Sequence, residues 1–202
     1  VVGSGSGMMI ADAAVNNGKT VALVEMGKLG GTCLNVGCIP SKMVIYPADM
    51  VNQIKHAERL GIKVTIDEID FPFIMRRTKE FVEHDRHPME DAIGYVEGLS
   101  FYPVQGEFID DYTMQVGDKV IKADTIFLAS GARPFIPPIK GLEDVDYITN
   151  DNVWDMTERP ESMVIVGGGL IAVEMAHFFS SMGVDVSLLS RSRRLIKNGE
   201  PE

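Results

Sequence analysis

The sequence is poor in cysteine, in tryptophan and in basic residues, and it contains no long hydrophobic run. Only two cysteines, Cys33 and Cys38, and one tryptophan occur in 202 residues. So few cysteines exclude a secreted scaffold that is held together by disulfides. A bridge between these two would close a short loop and add only about 2 kcal/mol of stability. Stabilisation of the fold is therefore a weak explanation for the presence of these two cysteines.

The absence of a long apolar run and the low number of basic residues argue against a membrane and against nucleic acid as partners. No apolar run approaches the ~18 residues that cross a bilayer, and the first residues, Val1-Val2-Gly3, carry no basic leader. Lysine and arginine number 19 against 29 aspartates and glutamates, which gives a formal net charge of -10. An acidic chain repels nucleic-acid phosphates. We therefore expect a cytoplasmic protein that binds neither nucleic acid nor membrane.

Two glycine-rich turns lie in the same local context, a short apolar run before each and a helical pattern after it. Hydrophobic residues make up 45% of the chain, enough for a sizeable core. Each turn belongs to a pattern typical of a βαβ unit. The first unit comprises a turn at 3–7, a helix over 8–17 and a strand over 20–25; the second comprises a strand over 162–166, a turn at 167–169, a helix over 170–182 and a strand over 184–189. The predicted fold is α/β, with two Rossmann-like nucleotide-binding domains.

The segment between the two units predicts helices first and strands afterwards. The predicted elements are a glycine-rich loop at 27–37, a helix from about Pro40 to Leu60, a helical stretch over 71–99 interrupted near Pro88, a strand over 101–108, a hairpin over 112–121 that turns at Gly117-Asp118, and a strand over 125–129. Prolines 134, 137 and 138 mark an extended crossover. We assign residues 1–148 to the first domain and 149–202 to the start of the second. A complete second domain needs further strands, so we expect its remainder and a C-terminal dimerisation domain to be absent from this chain.

The first turn predicts a dinucleotide-binding site. Gly3 and Gly5 follow a strand and open a helix, and Glu25 closes the next strand. Glycines let the backbone approach a pyrophosphate, the helix start supplies N–H donors, and the acid takes ribose hydroxyls. Met8 replaces the third glycine of the fingerprint, and we expect Gly7 beside it to compensate. The alternative is an ordinary glycine-rich turn.

The strongest signal in the chain is the segment GGTCLNVGCIPSK, residues 30–42. Two thiols separated by four residues can form a disulfide where the backbone bends at a helix start, and Gly37 eases that bend. Cys38 would lie at a helix N-terminus, where the helix dipole favours a thiolate. The alternatives are inert thiols or half of a zinc site. Zinc needs two more ligands, and the four histidines lack ligand spacing.

The second turn, VGGGLIAVE at 166–174, is a second fingerprint with Ala172 in the third glycine's place. Ser190 occupies the position that corresponds to Glu25, so an acid for the ribose of NAD is missing. Arg191, Arg193, Arg194 and Lys197 follow it. Such a cluster can bind a 2′-phosphate, and we predict a preference for NADPH. A solvated basic loop is the alternative.

The segment GGTCLNVGCIPSK resembles the active-site motif of the class I pyridine nucleotide–disulfide oxidoreductases. The sequence of this motif is most similar to that of dihydrolipoamide dehydrogenases. The basic cluster at 191–197 fits the glutathione, mycothione and mercuric reductases better. The resemblance covers essentially all 202 residues. It implies that electrons pass between NAD(P)H and a small-molecule or lipoyl-type disulfide or dithiol, through FAD and the Cys33–Cys38 pair. It also implies that the full-length protein is a homodimer.

The resemblance assigns a role to each matching residue. Cys33 would be the interchange thiol that attacks the substrate, and Cys38 the charge-transfer thiol against the flavin. Lys42 would lie at the flavin edge and pair with Glu174. The remaining implied FAD contacts are Gly3, Gly5, Ser6, Gly7, Glu25, Gly31, Thr32, Phe108, Ala129, Ser130 and Gly131, and those to NAD(P)H are Gly167, Gly169, Ile171, Arg191 and Lys197.

Two rival functions stay open at this point. One is a flavoprotein reductase with another acceptor, such as a mercuric ion, bound with the help of cysteines beyond this chain. The other is a flavin- or nucleotide-binding module without catalysis. Relatives take a proton through a His–Glu pair near the C-terminus, supplied by the partner subunit. We expect this pair to lie outside the chain, and the 202 residues alone to turn over little substrate.

Overall fold

The computed structural model describes residues 1–197 and residue 199; Asn198 and residues 200–202, at the end of the predicted second domain, lie outside the described residues. The helices are α1 (Ser6–Asn16), α2 (Gly31–Asn35), α3 (Cys38–His56), α4 (Phe71–Ile93) and α5 (Leu170–Ser181). The strands are β1 (Val21–Val24), β2 (Leu99–Tyr102), β3 (Gly106–Asp110), β4 (Thr113–Val116), β5 (Lys119–Lys122), β6 (Ser162–Val166) and β7 (Asp185–Leu189). Short 3-10 turns occupy Ala57–Leu60, Leu142–Asp144 and Val153–Asp155.

A parallel layer forms the centre of the first compact unit, which comprises Val1–Ile39 and Glu80–Asp151. Strand β1 pairs with β2 in parallel along its whole length. Val2 bridges to Val24 on one side and to Leu128 on the other, both in parallel. The order across the layer is therefore Leu128, Val2, β1 and β2. This parallel arrangement with helix α1 as a crossover confirms the predicted Rossmann-type fold.

A second, antiparallel sheet in this unit carries the predicted hairpin. Strands β3, β4 and β5 pair in that order, and Gly117 at the turn between β4 and β5 has a φ of +62°, a conformation that suits glycine. Two strand predictions were wrong. The predicted strand over 101–108 is split after Tyr102, because Pro103 has no N–H for a ladder. The predicted strand over 125–129 is reduced to the single bridge at Leu128.

Two helix predictions also need correction. The glycine-rich loop at 27–37 contains helix α2, and α4 runs through Pro88 without a break. One side of α4 is buried at helical spacing, at Phe71, Met75, Thr78, Val82, Arg86 and Ile93. Pro88 lies off this stripe and is exposed, so the buried contacts hold the helix despite the one hydrogen bond that a proline removes. No helix in the described part of the chain is long and apolar enough to cross a membrane.

The second compact unit comprises Pro40–Lys79 and Asn152–Glu202. Strands β6 and β7 pair in parallel, with α5 as the crossover, and this confirms the second predicted βαβ unit. Its core contains a cluster of three aromatic rings: those of Phe71 and Phe178 lie 5.8 Å apart and those of Phe178 and Phe179 lie 4.9 Å apart. Gly183, with a φ of +86°, ends α5 and leads into β7.

We expect Phe178→Ala to destabilise the protein strongly, because Phe178 is 1% exposed at the centre of this cluster. Removing the ring should lower the free energy of unfolding by about 3–5 kcal/mol. Urea titration followed by circular dichroism measures the change. Phe73→Ala is the control, since Phe73 is 48% exposed, and it should cost about 1 kcal/mol or less. Equal losses in the two variants would contradict the proposed core.

Candidate active site and nucleotide-binding turns

The two cysteines lie at the junction of two helices. Cys33 is in α2, and Cys38 is the first residue of α3, as predicted. Both are thiols and both are exposed. The connecting backbone folds back tightly, because a Cβ added to Gly37 would lie 2.8 Å from Thr32 O and 3.3 Å from the Cα of Cys33. The bend requires glycine at position 37 because a larger side chain would collide with Thr32. A left-handed backbone is not the reason, since Gly37 does not have a positive φ.

The two thiols interact electrostatically. A hydrogen bond between the Cys33 and Cys38 side chains raises the pKa of the Cys33 thiol above its ordinary value. Slight burial and the proximity of a second sulfur charge act in the same direction, and they outweigh the backbone N–H groups of Cys38 and Ile39. Cys33 consequently stays protonated near neutral pH until a base takes its proton.

The loop that carries the two cysteines, residues 30–38 and here called the redox loop, lies directly on the first glycine turn. A Cβ on Gly31 would lie 2.6 Å from the Cα of Gly5, and Gly31 has a φ of +61°. Gly3, with a φ of +96°, lies against the Ala129 carbonyl, where a side chain would collide. Helix α1 begins at Ser6, immediately after Gly5. The predicted residues of the fingerprint, of the redox loop and of the segment at Ala129 are thus brought together.

Gly7 lies next to Met8, which stands in the place of the third glycine. A Cβ on Gly7 would lie 2.8 Å from Val1 Cγ1 and 3.2 Å from Ala129 Cβ. Met8 instead packs on the apolar cluster of Leu23, Leu29 and Ile93. The helix therefore comes close to Val1 and Ala129 at Gly7, and the expected compensation for Met8 stays a prediction.

Glu25 holds the fingerprint turn in shape. Its Oε2 accepts hydrogen bonds from Ser4 N at 2.8 Å and from Ser4 Oγ at 2.9 Å, and its Oε1 accepts from Gly27 N at 2.8 Å. Burial alone would raise the pKa of Glu25, but these bonds and one from the Met26 backbone lower it below its usual value. A charged Glu25 therefore bridges the turn and the end of β1 before any ribose is bound.

Asn35 and Arg86 also belong to this site, although the sequence did not predict either residue. Asn35 Nδ2 donates to Leu29 O at 2.8 Å and to Gly31 O at 2.9 Å. Its Oδ1 accepts from Arg86 Nη1 at 3.2 Å. The sequence does contain one sign of this contact. Arg86 stands at a position of the helical pattern of α4 where the other residues are mostly apolar, and a buried arginine needs a partner.

The second unit contains the predicted ion pair. Lys42 Nζ donates to Glu174 Oε1, and this contact joins α3 to α5. Further along the same helices, His177 Nε2 lies 2.7 Å from Asp49 Oδ1. The resemblance pairs Lys42 with Glu174, and the two side chains do meet. Their roles beside a flavin stay a prediction.

The basic segment, residues 191–197, is hydrogen-bonded to the second glycine turn. Gly167 N donates to Leu189 O at 2.8 Å, and Ile196 N donates to Gly168 O at 2.7 Å. A Cβ on Gly168 would collide with the Ser190 side chain. Ser190 therefore lies against the turn, at the end of β7 where an acid would stand. The predicted phosphate-binding side chains are all exposed beside it: Arg191, Arg193, Arg194 and Lys197.

The remaining predicted residues lie on exposed surface. Phe108 on β3 is 46% exposed and Ile171 in the first turn of α5 is 64% exposed. Thr32, Ser130 and Gly131 are exposed as well, and Gly169 precedes α5 as its cap residue. Among the described residues, no group of three or more His, Cys, Asp or Glu side chains is placed to hold a metal ion.

Comparison with known proteins gives one consistent result. The family described as pyridine nucleotide-disulphide oxidoreductase matches residues 1–202. The chain belongs to this family. It is 34% identical to a mercuric reductase of Staphylococcus aureus over 100% of this chain and 37% of the relative. It is 37% identical to a mycothione reductase of Mycobacterium tuberculosis over 98% of this chain and 44% of the relative.

A solved structure agrees with the family assignment. The Cu(II) complex of the HOCl-induced flavoprotein disulfide reductase RclA from Escherichia coli superposes with a TM-score of 0.84 at 27% identity. The match covers 98% of this chain and 43% of that one. The chain thus spans less than half the length of these relatives. The family resemblance inferred from the redox motif and the two fingerprints is confirmed.

The raised pKa of Cys33 predicts the pH at which this thiol reacts. In the reduced protein, the pH midpoint for alkylation of Cys33 by iodoacetamide should be higher than in the Cys38→Ala variant, which removes the hydrogen bond and the like charge. Mass spectrometry of the labelled peptide measures the rate at each pH. The Cys33→Ala variant is the control that identifies the labelled thiol. Equal midpoints with and without Cys38 would contradict the interaction.

Proposed function

We propose that this chain is the N-terminal part of an FAD-dependent oxidoreductase that passes electrons between NADPH and a disulfide substrate through Cys33 and Cys38. Residues 1–148 would form the FAD-binding domain and residues 149–202 the start of the NAD(P)-binding domain. The observation that carries the proposal is the contact of the redox loop with the first glycine turn, at Gly31 and Gly5. A dinucleotide bound on that turn would lie beside the dithiol.

The residues of the first turn fit FAD. Gly3 and Gly5 carry no side chain at the turn that opens α1, and the first N–H groups of that helix are the donors that a pyrophosphate would take. Glu25 already holds the turn through Ser4, and it is the acid that would face the ribose hydroxyls. When it is bound, FAD supplies two-electron transfer between a nicotinamide and a dithiol. We assign the adenine side to Phe108, and further contacts to Ser6, Gly7, Thr32, Ala129, Ser130 and Gly131.

The dithiol would act by exchange. The Cys33 thiolate attacks one sulfur of the substrate disulfide, forms a mixed disulfide and releases the first substrate thiolate, which takes a proton. Cys38 then attacks the Cys33 sulfur, forms the Cys33–Cys38 disulfide and releases the second thiolate, which also takes a proton. The pair has lost two electrons and the substrate has gained them. The raised pKa of Cys33 means that a base must take its proton, and we infer a His–Glu pair of the partner subunit of a homodimer.

The second unit supports the choice of NADPH. Gly167 and Gly169 with the start of α5 fit a pyrophosphate, and Ile171 lies exposed at that helix start. Ser190 in place of an acid removes the repulsion that a carboxylate would exert on a 2′-phosphate. The hydrogen bond from Ile196 to Gly168 holds the basic segment beside the turn. Arg191 and Lys197 would bind the phosphate, while Lys42 and Glu174 would hold each other at the flavin edge.

The substrate is proposed only by class, as a small-molecule disulfide. The amino-acid sequence of the redox motif favours a lipoyl-type dithiol. The two relatives described above are instead a mercuric reductase and a mycothione reductase. A mercuric-ion acceptor is the second candidate, because two adjacent exposed thiols are soft ligands.

We expect one equivalent of NADPH to generate two new thiols in the oxidised full-length flavoprotein, at Cys33 and Cys38. Anaerobic alkylation followed by mass spectrometry counts them. Cys38→Ser and Cys33→Ser should each abolish the gain while FAD content stays unchanged. Bleaching of the flavin with no new thiols in the wild type would favour a flavin-binding module without dithiol chemistry.

Arg191→Ala should lower kcat/KM for NADPH about tenfold, because one charge-assisted contact to the 2′-phosphate is lost. The value for NADH should change less than about twofold, since NADH lacks that phosphate. Steady-state kinetics of the full-length enzyme measures both. Arg59→Ala, which removes an exposed arginine outside the basic segment, should leave both values unchanged. A strong preference of the wild type for NADH would overturn the proposal.

A further inference from the structure

We propose that Arg86 is a positioning residue for the redox pair: through Asn35 it fixes helix α2, and thereby keeps Cys33 within reach of Cys38. The inference rests on the proposed dithiol function and adds a residue that the redox motif does not contain. It concerns only the first compact unit, to which all four residues belong.

Arg86 is a buried charged residue on a stripe of α4 that is otherwise mostly apolar. It is 7% exposed on the inner stripe of α4, and a buried guanidinium needs partners for its charge. Its Nε lies 3.0 Å from Glu90 Oε1, but the N–H is not aimed at that oxygen, so the contact is an ion pair rather than a hydrogen bond. The directed hydrogen bond of this side chain runs from Nη1 to Asn35 Oδ1.

Asn35 converts this contact into a constraint on the redox loop. Arg86 donates to the amide oxygen, which leaves the amide nitrogen to donate to the carbonyls of Leu29 and Gly31. Gly31 is the first residue of α2 and Asn35 the last. One side chain thus ties the two ends of α2 together, with Cys33 between them.

The constraint matters because a disulfide requires close backbones, with Cα atoms about 4.4–6.8 Å apart. The fold of Gly37 against Thr32 brings Cys38 toward α2, but it sets only one side of the pair. Any loosening of α2 lets Cys33 spend time away from Cys38. The disulfide then becomes less favourable relative to two thiols, because ring closure must restore the lost order.

Equilibration with glutathione tests the proposal. The full-length flavoprotein is held anaerobically in buffers of graded glutathione ratio, without pyridine nucleotide, then acidified and alkylated. On oxidation, Cys33 and Cys38 together lose two electrons and two protons, and one oxidised glutathione becomes two reduced molecules. Mass spectrometry gives the fraction oxidised. We expect Arg86→Met to lower the equilibrium constant for disulfide formation about tenfold, with FAD content unchanged.

Arg77→Met is the matched control. Arg77 lies on the same helix, donates to the Met43 carbonyl and, like Arg86, has a buried Nε without a hydrogen bond. It should leave the equilibrium constant within about twofold of the wild type. Should Arg86→Met not fold, Arg86→Gln takes its place, since it stays polar but is too short to hold Asn35, and the same tenfold loss is expected.

A double-mutant cycle separates positioning from general stability. Asn35→Ala should lower the constant as Arg86→Met does, and the double variant should fall less than about twofold further. Additive losses, or an Arg86→Met variant that behaves like the wild type, would overturn the role of Arg86. If the wild-type pair formed no disulfide at any glutathione ratio, the proposed function itself would fail, so the two failures are distinguishable.

Discussion

The close contact between the backbones of Gly31 and Gly5 is the constraint on which the first site depends. Gly31 has no room for a side chain there, since its Cβ would lie 2.6 Å from the Cα of Gly5. The contact places the loop that carries Cys33 on the turn that opens α1. The proposed function needs the dithiol close to a bound dinucleotide, and a glycine turn at a helix start is a site where a pyrophosphate binds. The contact between Gly31 and Gly5 therefore places the dithiol next to the turn where a dinucleotide would bind.

Polar side chains then hold the two loops in the shape that this contact needs. Glu25 accepts three hydrogen bonds from Ser4 and Gly27 and so fixes the fingerprint turn. Asn35, itself bonded to Arg86, fixes the redox helix. Both act through backbone groups near glycines, where the chain has the most freedom to lose. The site is therefore ordered by anchors that do not themselves take part in the proposed chemistry.

The two glycine turns share a local architecture and differ in the residue that follows the second strand. In the first unit this residue is Glu25, and its charge organises the turn. In the second unit it is Ser190, which packs on Gly168 and is followed by a basic segment bonded back to the turn through Ile196. A carboxylate favours a free ribose, whereas arginines beside a small neutral residue favour a phosphorylated one. The same fold thus presents two electrostatic environments.

The sequence by itself determined both βαβ units, the place of Cys38 at a helix start and the family, because glycine spacing and hydrophobic periodicity are local properties. It failed where distant contacts decide: α4 runs through Pro88 since its buried stripe outweighs one missing hydrogen bond, and the run over 125–129 keeps only the bridge from Leu128 to Val2. It also missed Asn35 and Arg86, which stand 51 positions apart. Only the tertiary structure places a helix from a distant part of the chain against the redox loop. The role of the buried Arg86 can be inferred only once its partner, Asn35, is known.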